Sequence, residues 1–178
     1  MAVKLISLPL VLFCAVLAAP EALAQNCRLS VSQPRIDYGV IRRDGPFDRP
    51  TVALATRSLQ LNVLCAEPAA VALRFIGVPA DGQGFRFGHQ GRFRLSLKHA
   101  QVDGQAVALA AAQRPGEPAN GQLLPGQTLV AHTAGRQFTA QVDIDTELPA
   151  GALHVRGETY LEGQGSFELV SPAAPQSR

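Results

Sequence analysis

Two cysteines bracket the stretch that most constrains the fold. Cys27 opens Cys27-Arg-Leu-Ser-Val-Ser32, and Cys65 closes Ser58-Leu-Gln-Leu-Asn-Val-Leu-Cys65. In the second segment Leu59, Leu61, Val63 and Cys65 share one parity, with Gln60 and Asn62 between them. That alternation is the period of a half-buried strand, and it places Cys65 on the buried face. Leu29 and Val31 share the parity of Cys27. A Cys27–Cys65 bond therefore joins two strands through the inside of a β domain.

The N-terminus argues that this bond forms. Met1-Ala-Val-Lys4 is a short basic start, Leu5 to Ala19 is apolar, and Ala22-Leu-Ala24 fits the small-x-small cleavage rule. The segment reads as a secretory signal peptide, residues 1–24, with an apolar run too short for a membrane span. Cleavage after Ala24 removes Cys14, so two of the three cysteines remain for an oxidising compartment, which predicts one disulfide. Of 178 residues, 154 are left after the 24 removed, enough for one domain with a real core. Lys4 and Glu21 leave together, so the net charge stays at +2, too weak to indicate nucleic acid or a membrane surface as partner. Trp is absent and Tyr occurs twice, so stacking platforms for bases or sugars are poorly supplied.

Along the chain, Ile36–Ile41 reads as a strand and Asp44–Pro50 as a surface loop ringed by Arg35, Arg42, Arg43 and Arg49, a solvated rim. Glu67-Pro68 predicts a turn. Val71, Leu73 and Phe75 alternate, Pro79–Gly82 is a turn signal, and Phe93, Leu95 and Leu97 alternate again. Phe85-Arg86-Phe87 reads as a hairpin with one phenylalanine buried. Asp103-Gly104 marks a hairpin tip and Pro125-Gly126 a turn. Gln137–Asp145 is the cleanest late strand, with Phe138, Ala140, Val142 and Ile144 inward and Thr139, Gln141, Asp143 and Asp145 outward. Leu148–Gly151 turns, Leu153 and Thr159 restart strands, and Ser166–Val170 closes the domain. Ser171–Arg178 reads as a disordered tail. Short alternating runs with turn signals at this spacing predict an all-β sandwich over residues 25–170.

Chemistry-bearing motifs are sparse. His89, His99, His132 and His154 form no i,i+4 pair with a glutamate, and no Cys-x-x-Cys occurs, so no metal site or cofactor is expected. The glycines of Gly84–Gly91 lack the Lys-Ser/Thr ending of a phosphate loop. No Gly-x-Ser-x-Gly elbow is present. Asp143 and Asp145 could serve acid–base chemistry or calcium, but as outward residues of one strand they read as solvated charges. The expectation is a protein that is not an enzyme.

An early cysteine, a Tyr-Gly step, a second cysteine on an alternating strand and a late alternating strand together carry a resemblance. The residues are Cys27, Ile36-Asp-Tyr-Gly39, Leu59-x-Leu-x-Val-x-Cys65, Gly135-Arg-Gln-Phe138 and Phe167–Val170. With the signal peptide they resemble the chaperone–usher pilins, and within them the single-domain fimbrial-like proteins of Gram-negative bacteria. The resemblance implies an immunoglobulin-like sandwich lacking its last strand, with an apolar groove and unpaired backbone groups. It implies that a periplasmic pilus chaperone lends a strand, and that a neighbouring subunit, delivered through an usher, replaces it. On that reading Phe167 and Leu169 line one edge of the groove, and Phe138, Val142 and Ile144 form part of its floor. Location would be the periplasm and then the cell surface, with a role in surface structure or adhesion. Polymerising pilins carry a donor segment of roughly ten or more residues before the first cysteine, the reach a groove-filling strand needs. Here only Gln25 and Asn26 separate the cleavage point from Cys27, so the expected subunit has nothing to donate: it accepts a strand and caps a tip, or never polymerises. The alternative is a self-contained secreted binding module, a small adhesin or carbohydrate binder that does not polymerise.

Overall fold

The computed structural model describes residues 27–41, 50–113, 119–154, 157 and 159–170. The signal peptide, Cys14, most of the Asp44–Pro50 loop with Arg42, Arg43 and Arg49, and the Ser171–Arg178 tail lie outside them. The strands in chain order are β1 (Cys27–Val31), β2 (Thr51–Ala53), β3 (Arg57–Gly77), β4 (Pro79–Asp81), β5 (Gly84–Phe87) and β6 (Gly91–Val102). They continue as β7 (Gln105–Ala106), β8 (Ala110–Ala111), β9 (Gln122–Leu123), β10 (Thr128–Pro149) and β11 (Gly165–Val170). A 3₁₀ turn over Ala150–Leu153 follows β10. All pairings are antiparallel, in the order β1-β3-β10-β6-β5-β4. The all-β, sandwich-like fold with one disulfide is thus as the alternation indicates.

Two strands set the architecture. β3 has 21 residues and β10 has 22, and they pair from Arg57↔Ile144 to Arg74↔Thr128. Straight, such a strand would run about 70 Å at roughly 3.3 Å per residue, too long for one layer of so small a domain. Both fold over instead. The register of β10 shifts between Ala131 and Gly135 and again between Gly135 and Gln137, the signature of bulges that bend a sheet. As a result the second half of β3 packs back over the first layer. The Phe75 ring sits 5.9 Å from Phe93 and 4.8 Å from Phe85, on strands several places away in the sheet order. The Glu67-Pro68 turn of the sequence reading is therefore a fold inside one continuous strand.

The fold-over is pinned locally. The hairpin tip between β6 and β7 has Asp103 at φ 48° and Gly104 at φ 79°, as Asp-Gly sequences allow. The Asp103 carboxylate accepts the backbone N–H groups of Arg136 and Gln137, the latter at 2.8 Å. Gly135 is the residue that permits this approach, since a Cβ there would collide with Val102 and Asp103.

Leu59, Leu61 and Val63 of β3, Phe93, Leu95 and Leu97 of β6, and Phe138, Ala140 and Val142 of β10 meet in one core. A bulge in β6 lets it keep facing that core. Between the pairs Thr139↔Gln101 and Gln141↔Lys98, β6 spends two residues against one of β10, with His99 at φ 52°. Inward parity accordingly changes from Leu97 to Ala100 and Val102.

Several local expectations change. Ile36–Ile41 is irregular, not a strand. Its Tyr38 instead inserts as a plug: the hydroxyl bonds Thr146 Oγ1 at 2.8 Å, the ring meets Phe87 edge-on at 6.0 Å, and the Arg57 guanidinium lies over it. Gly39 follows at φ 66° with its N–H donated to Asp37 Oδ1. Pro79–Asp81 is a short strand with the turn after it. Phe85 and Phe87 are both buried, with Arg86 exposed between them. β10 runs on through Leu148, and Thr159–Leu161 is irregular; Val155 and Arg156 lie outside the described residues.

A candidate strand-accepting edge

The edge of β3 opposite β10 is covered by two separate strands. β1 takes its first half, from Cys27↔Cys65 to Val31↔Leu61. β11 takes its second half, from Val170↔Ala72 to Gly165↔Gly77. Because β3 folds over between Cys65 and Ala72, β1 edges one layer and β11 edges the other, on the same side of the sandwich, and the two touch. Among the described residues neither has a second strand partner. In an antiparallel strand alternate N–H and C=O groups point away from the partner, so both strands present a row of them outward.

The side chains between these edges are apolar and incompletely covered. Cys27, Leu29 and Val31 of β1 and Phe167 and Leu169 of β11 pack on the core while remaining half-buried. The Phe167 ring lies 5.0 Å from Phe75, edge to face. β11 is also tied by an ion pair, with Arg74 Nε and Nη2 donating to Glu168 Oε2 at 3.1 and 2.9 Å. Both partners are 43 % exposed, so solvent and salt weaken the pair. Cys27 and Cys65 are joined, as expected, and tie the start of β1 to β3 where it begins to fold over.

The residues named for the floor are arranged less simply. Phe138 (2 % exposed) and Val142 (0 %) are sealed in β10 between β3 and β6, and Ile144 is half-buried at Arg57↔Ile144↔Leu95. Phe167 and Leu169 lie half-buried on the edge strand β11. The sequence reading passed over Leu29, Val31 and Phe75 as lining; the alternation of Cys27, Leu29 and Val31 was the available signal. It also passed over Thr146, which is buried at 1 % exposure and satisfied by Tyr38. Only the tertiary fold places those two side by side.

The Asp143 and Asp145 face is not a freely solvated pair. Asp143 is 6 % exposed, covered by Lys98, Gln141 and Ser58. The Gln141 amide donates to it at 2.6 Å, Lys98 Nζ at 2.7 Å and the Ser58 hydroxyl at 2.7 Å. These donors, Gln141 first, hold its carboxyl down at about 2 from the ordinary 3.8. Asp145 accepts the Thr56 hydroxyl at 2.6 Å. The donors on Asp143 brace the outer face of the sheet. A carboxyl depressed in the folded state contributes stability fully present above the unfolded value near 3.8, and lost as pH falls through about 2. Asp143→Asn is expected to cost on the order of 1–2 kcal/mol at pH 7, discounted for the exposed lysine, and to flatten the stability profile across that acid window. Urea midpoints at neutral pH and at two points within the window measure both effects.

A cavity of about 260 Å³ lies on the other side of the sandwich, along the outer edge of β6, with Leu97, His99, Val107, Leu109 and Asn120 in its wall. Among the described residues no three His, Cys, Asp or Glu side chains are grouped as a metal site. No described helix is long and apolar enough to cross a membrane.

Fold and edge together define a class: an all-β, sandwich-like protein with one disulfide and two neighbouring edge strands that have no outer strand partner among the described residues. The chain matches no family model, and no curated protein matches it.

Proposed function

We propose that this chain is a non-enzymatic, pilin-like or fimbrial subunit that accepts a β-strand from another polypeptide. The observation that supports this is the pair of neighbouring edge strands β1 and β11, each without a second strand partner among the described residues, which carry half-buried Leu29, Val31, Phe167 and Leu169. An added strand would satisfy the outward backbone groups and cover the apolar side chains together. The donor would first be a periplasmic chaperone, then a neighbouring subunit, with the usher as the assembly site and the cell surface as the destination.

Expression in the periplasm tests this. Alone, the chain is expected to aggregate or be degraded; with a matching chaperone it is expected to be recovered as a soluble one-to-one complex. Recovery of a stable monomer without any chaperone would count against the proposal. It would favour a self-contained secreted binding module.

A further inference from the structure

We infer that Asn120 is a site of spontaneous deamidation, and that its isoaspartyl product frees β9 from β6. The site lies away from β1 and β11, and it holds whether or not those edges accept a strand.

The chemistry needs an asparagine whose following peptide nitrogen is unhindered. The chain has three asparagines, Asn26, Asn62 and Asn120, and Asn120 alone precedes a glycine. Without a Cβ, Gly121 leaves its nitrogen open to approach. Asn120 is exposed, and its Oδ1 accepts the Gln122 N–H at 3.1 Å. A side chain bonded to its own backbone two residues on is folded back across the peptide between them, here that of Gly121. The same N–H polarises the amide carbonyl and faces the oxyanion that forms when Cγ is attacked. Among the described residues no acceptor takes the Gly121 N–H. Asn120 and Gly121 both line the cavity beside His99, which gives water a path to them.

The Gly121 nitrogen gives up its proton to solvent and attacks Asn120 Cγ. The Cγ–Nδ2 bond breaks, ammonia leaves and a five-membered succinimide remains. Water then opens one of the two imide bonds. Attack at Cγ gives aspartate; attack at the Asn120 backbone carbonyl carbon gives isoaspartate, in which the main chain runs through the side chain. The net change is ammonia lost and water gained. Two Asp-Gly steps resist the same reaction. Asp81 makes the same turn, its Oδ1 accepting the Gln83 N–H at 2.8 Å. That bond and the Arg92 guanidinium hold its carboxyl below the ordinary range, and an ionised carboxylate is a poor target for attack. The Asp103 carboxylate is held by the Arg136 and Gln137 N–H groups.

The backbone here has no slack for an extra carbon. The Gly121 carbonyl accepts the Leu97 N–H at 2.8 Å, and a Cβ on Gly121 would strike the Leu97 carbonyl. β9 follows at once, pairing Gln122 with Ser96 and Leu123 with Leu95, and Leu123 is 0 % exposed in the core. Isoaspartate lengthens the main chain by one carbon, so it moves Gly121 off Leu97 and pulls on a strand of two residues. Aspartate adds a charge to the cavity wall but leaves the main chain as it was.

The test ages the purified, oxidised full chain in mildly alkaline buffer, with its chaperone bound where it is isolated as a complex. Peptide mass mapping is expected to place a gain of about one dalton at Asn120, at a rate within tenfold of that in the free peptide of residues 118–124. A folded rate more than tenfold below the peptide's, or a gain that arises first at another residue, overturns the site. Asn120→Gln, which keeps the amide but cannot close the five-membered ring, is expected to lose the gain. Hydrogen exchange reads the strand. In the isoaspartyl fraction, identified by enzymatic carboxyl methylation, the Leu97 amide is expected to exchange at least tenfold faster than in fresh protein. In aged Asn120→Gln it is expected to keep the rate of the unaged variant. Unchanged exchange in the isoaspartyl fraction overturns the release of β9.

Discussion

Serine at both Cys27 and Cys65 is expected to lower the stability of the folded chain by about 4 kcal/mol. The bond closes a loop of 38 residues, and in the chain-entropy account that loop restricts the unfolded ensemble by this amount. The location concentrates the effect. β1 has five residues and pairs along one edge alone among the described residues, so without the bond its attachment rests on one short ladder and the half-buried Leu29 and Val31. Unfolding in guanidinium chloride, comparing the double variant with the oxidised parent, measures the loss. A difference below about 1 kcal/mol would show that the ladder alone fixes β1 and that the loop is already constrained when unfolded.

Phe138→Ala is expected to cost about 3–5 kcal/mol. Phe138 sits on β10 directly opposite Val63 of β3 and Val102 of β6. Its ring is 2 % exposed, and the neighbours that would have to collapse onto the void are held in the longest ladders of the sheet. Residual cavity volume is what raises the cost of such truncations, and a rigid surrounding keeps that volume open. Ile144→Val, in the same strand but half-buried at the layer's end, is expected to cost about 1 kcal/mol or less. Thermal or urea unfolding of the two variants side by side gives the contrast. Equal costs would mean that the alternation of β10 does not distinguish sealed from peripheral positions. Both variants also bear on the accepting edge. Phe138 lies in the sealed core, so its replacement acts on folding before it acts on any donor strand.

The alternation was read correctly wherever it was uninterrupted. Leu59–Val63, Val71–Phe75, Phe93–Leu97 and Phe138–Val142 all point inward as their parity indicates. The Asp103-Gly104 and Pro125-Gly126 turns stand where their φ requirements put them, with Gly126 at φ 75°. The failures share a cause. Glu67-Pro68 looked like a turn because proline interrupts most ladders; here the stretch lies where β3 has no partner on its β1–β11 side among the described residues, between Cys65 and Ala72. Ile36–Ile41 looked like a strand because it is apolar, yet Tyr38 earns its burial through one side chain and one hydroxyl contact with Thr146, 108 positions away. Asp143 looked solvated because its parity is outward; Lys98 and Ser58, on two flanking strands, cover it.

By itself the sequence determined which face each strand turns inward and that Cys27 and Cys65 could meet, because side-chain alternation is a property of consecutive residues. Where β3 and β10 fold over, which carboxylate is covered, and that β1 and β11 border the same side of the sandwich were decided by the tertiary structure. Those features depend on which distant strands pair and in what register, and a one-residue bulge at His99 or near Gly135 resets that register with little trace in the local pattern.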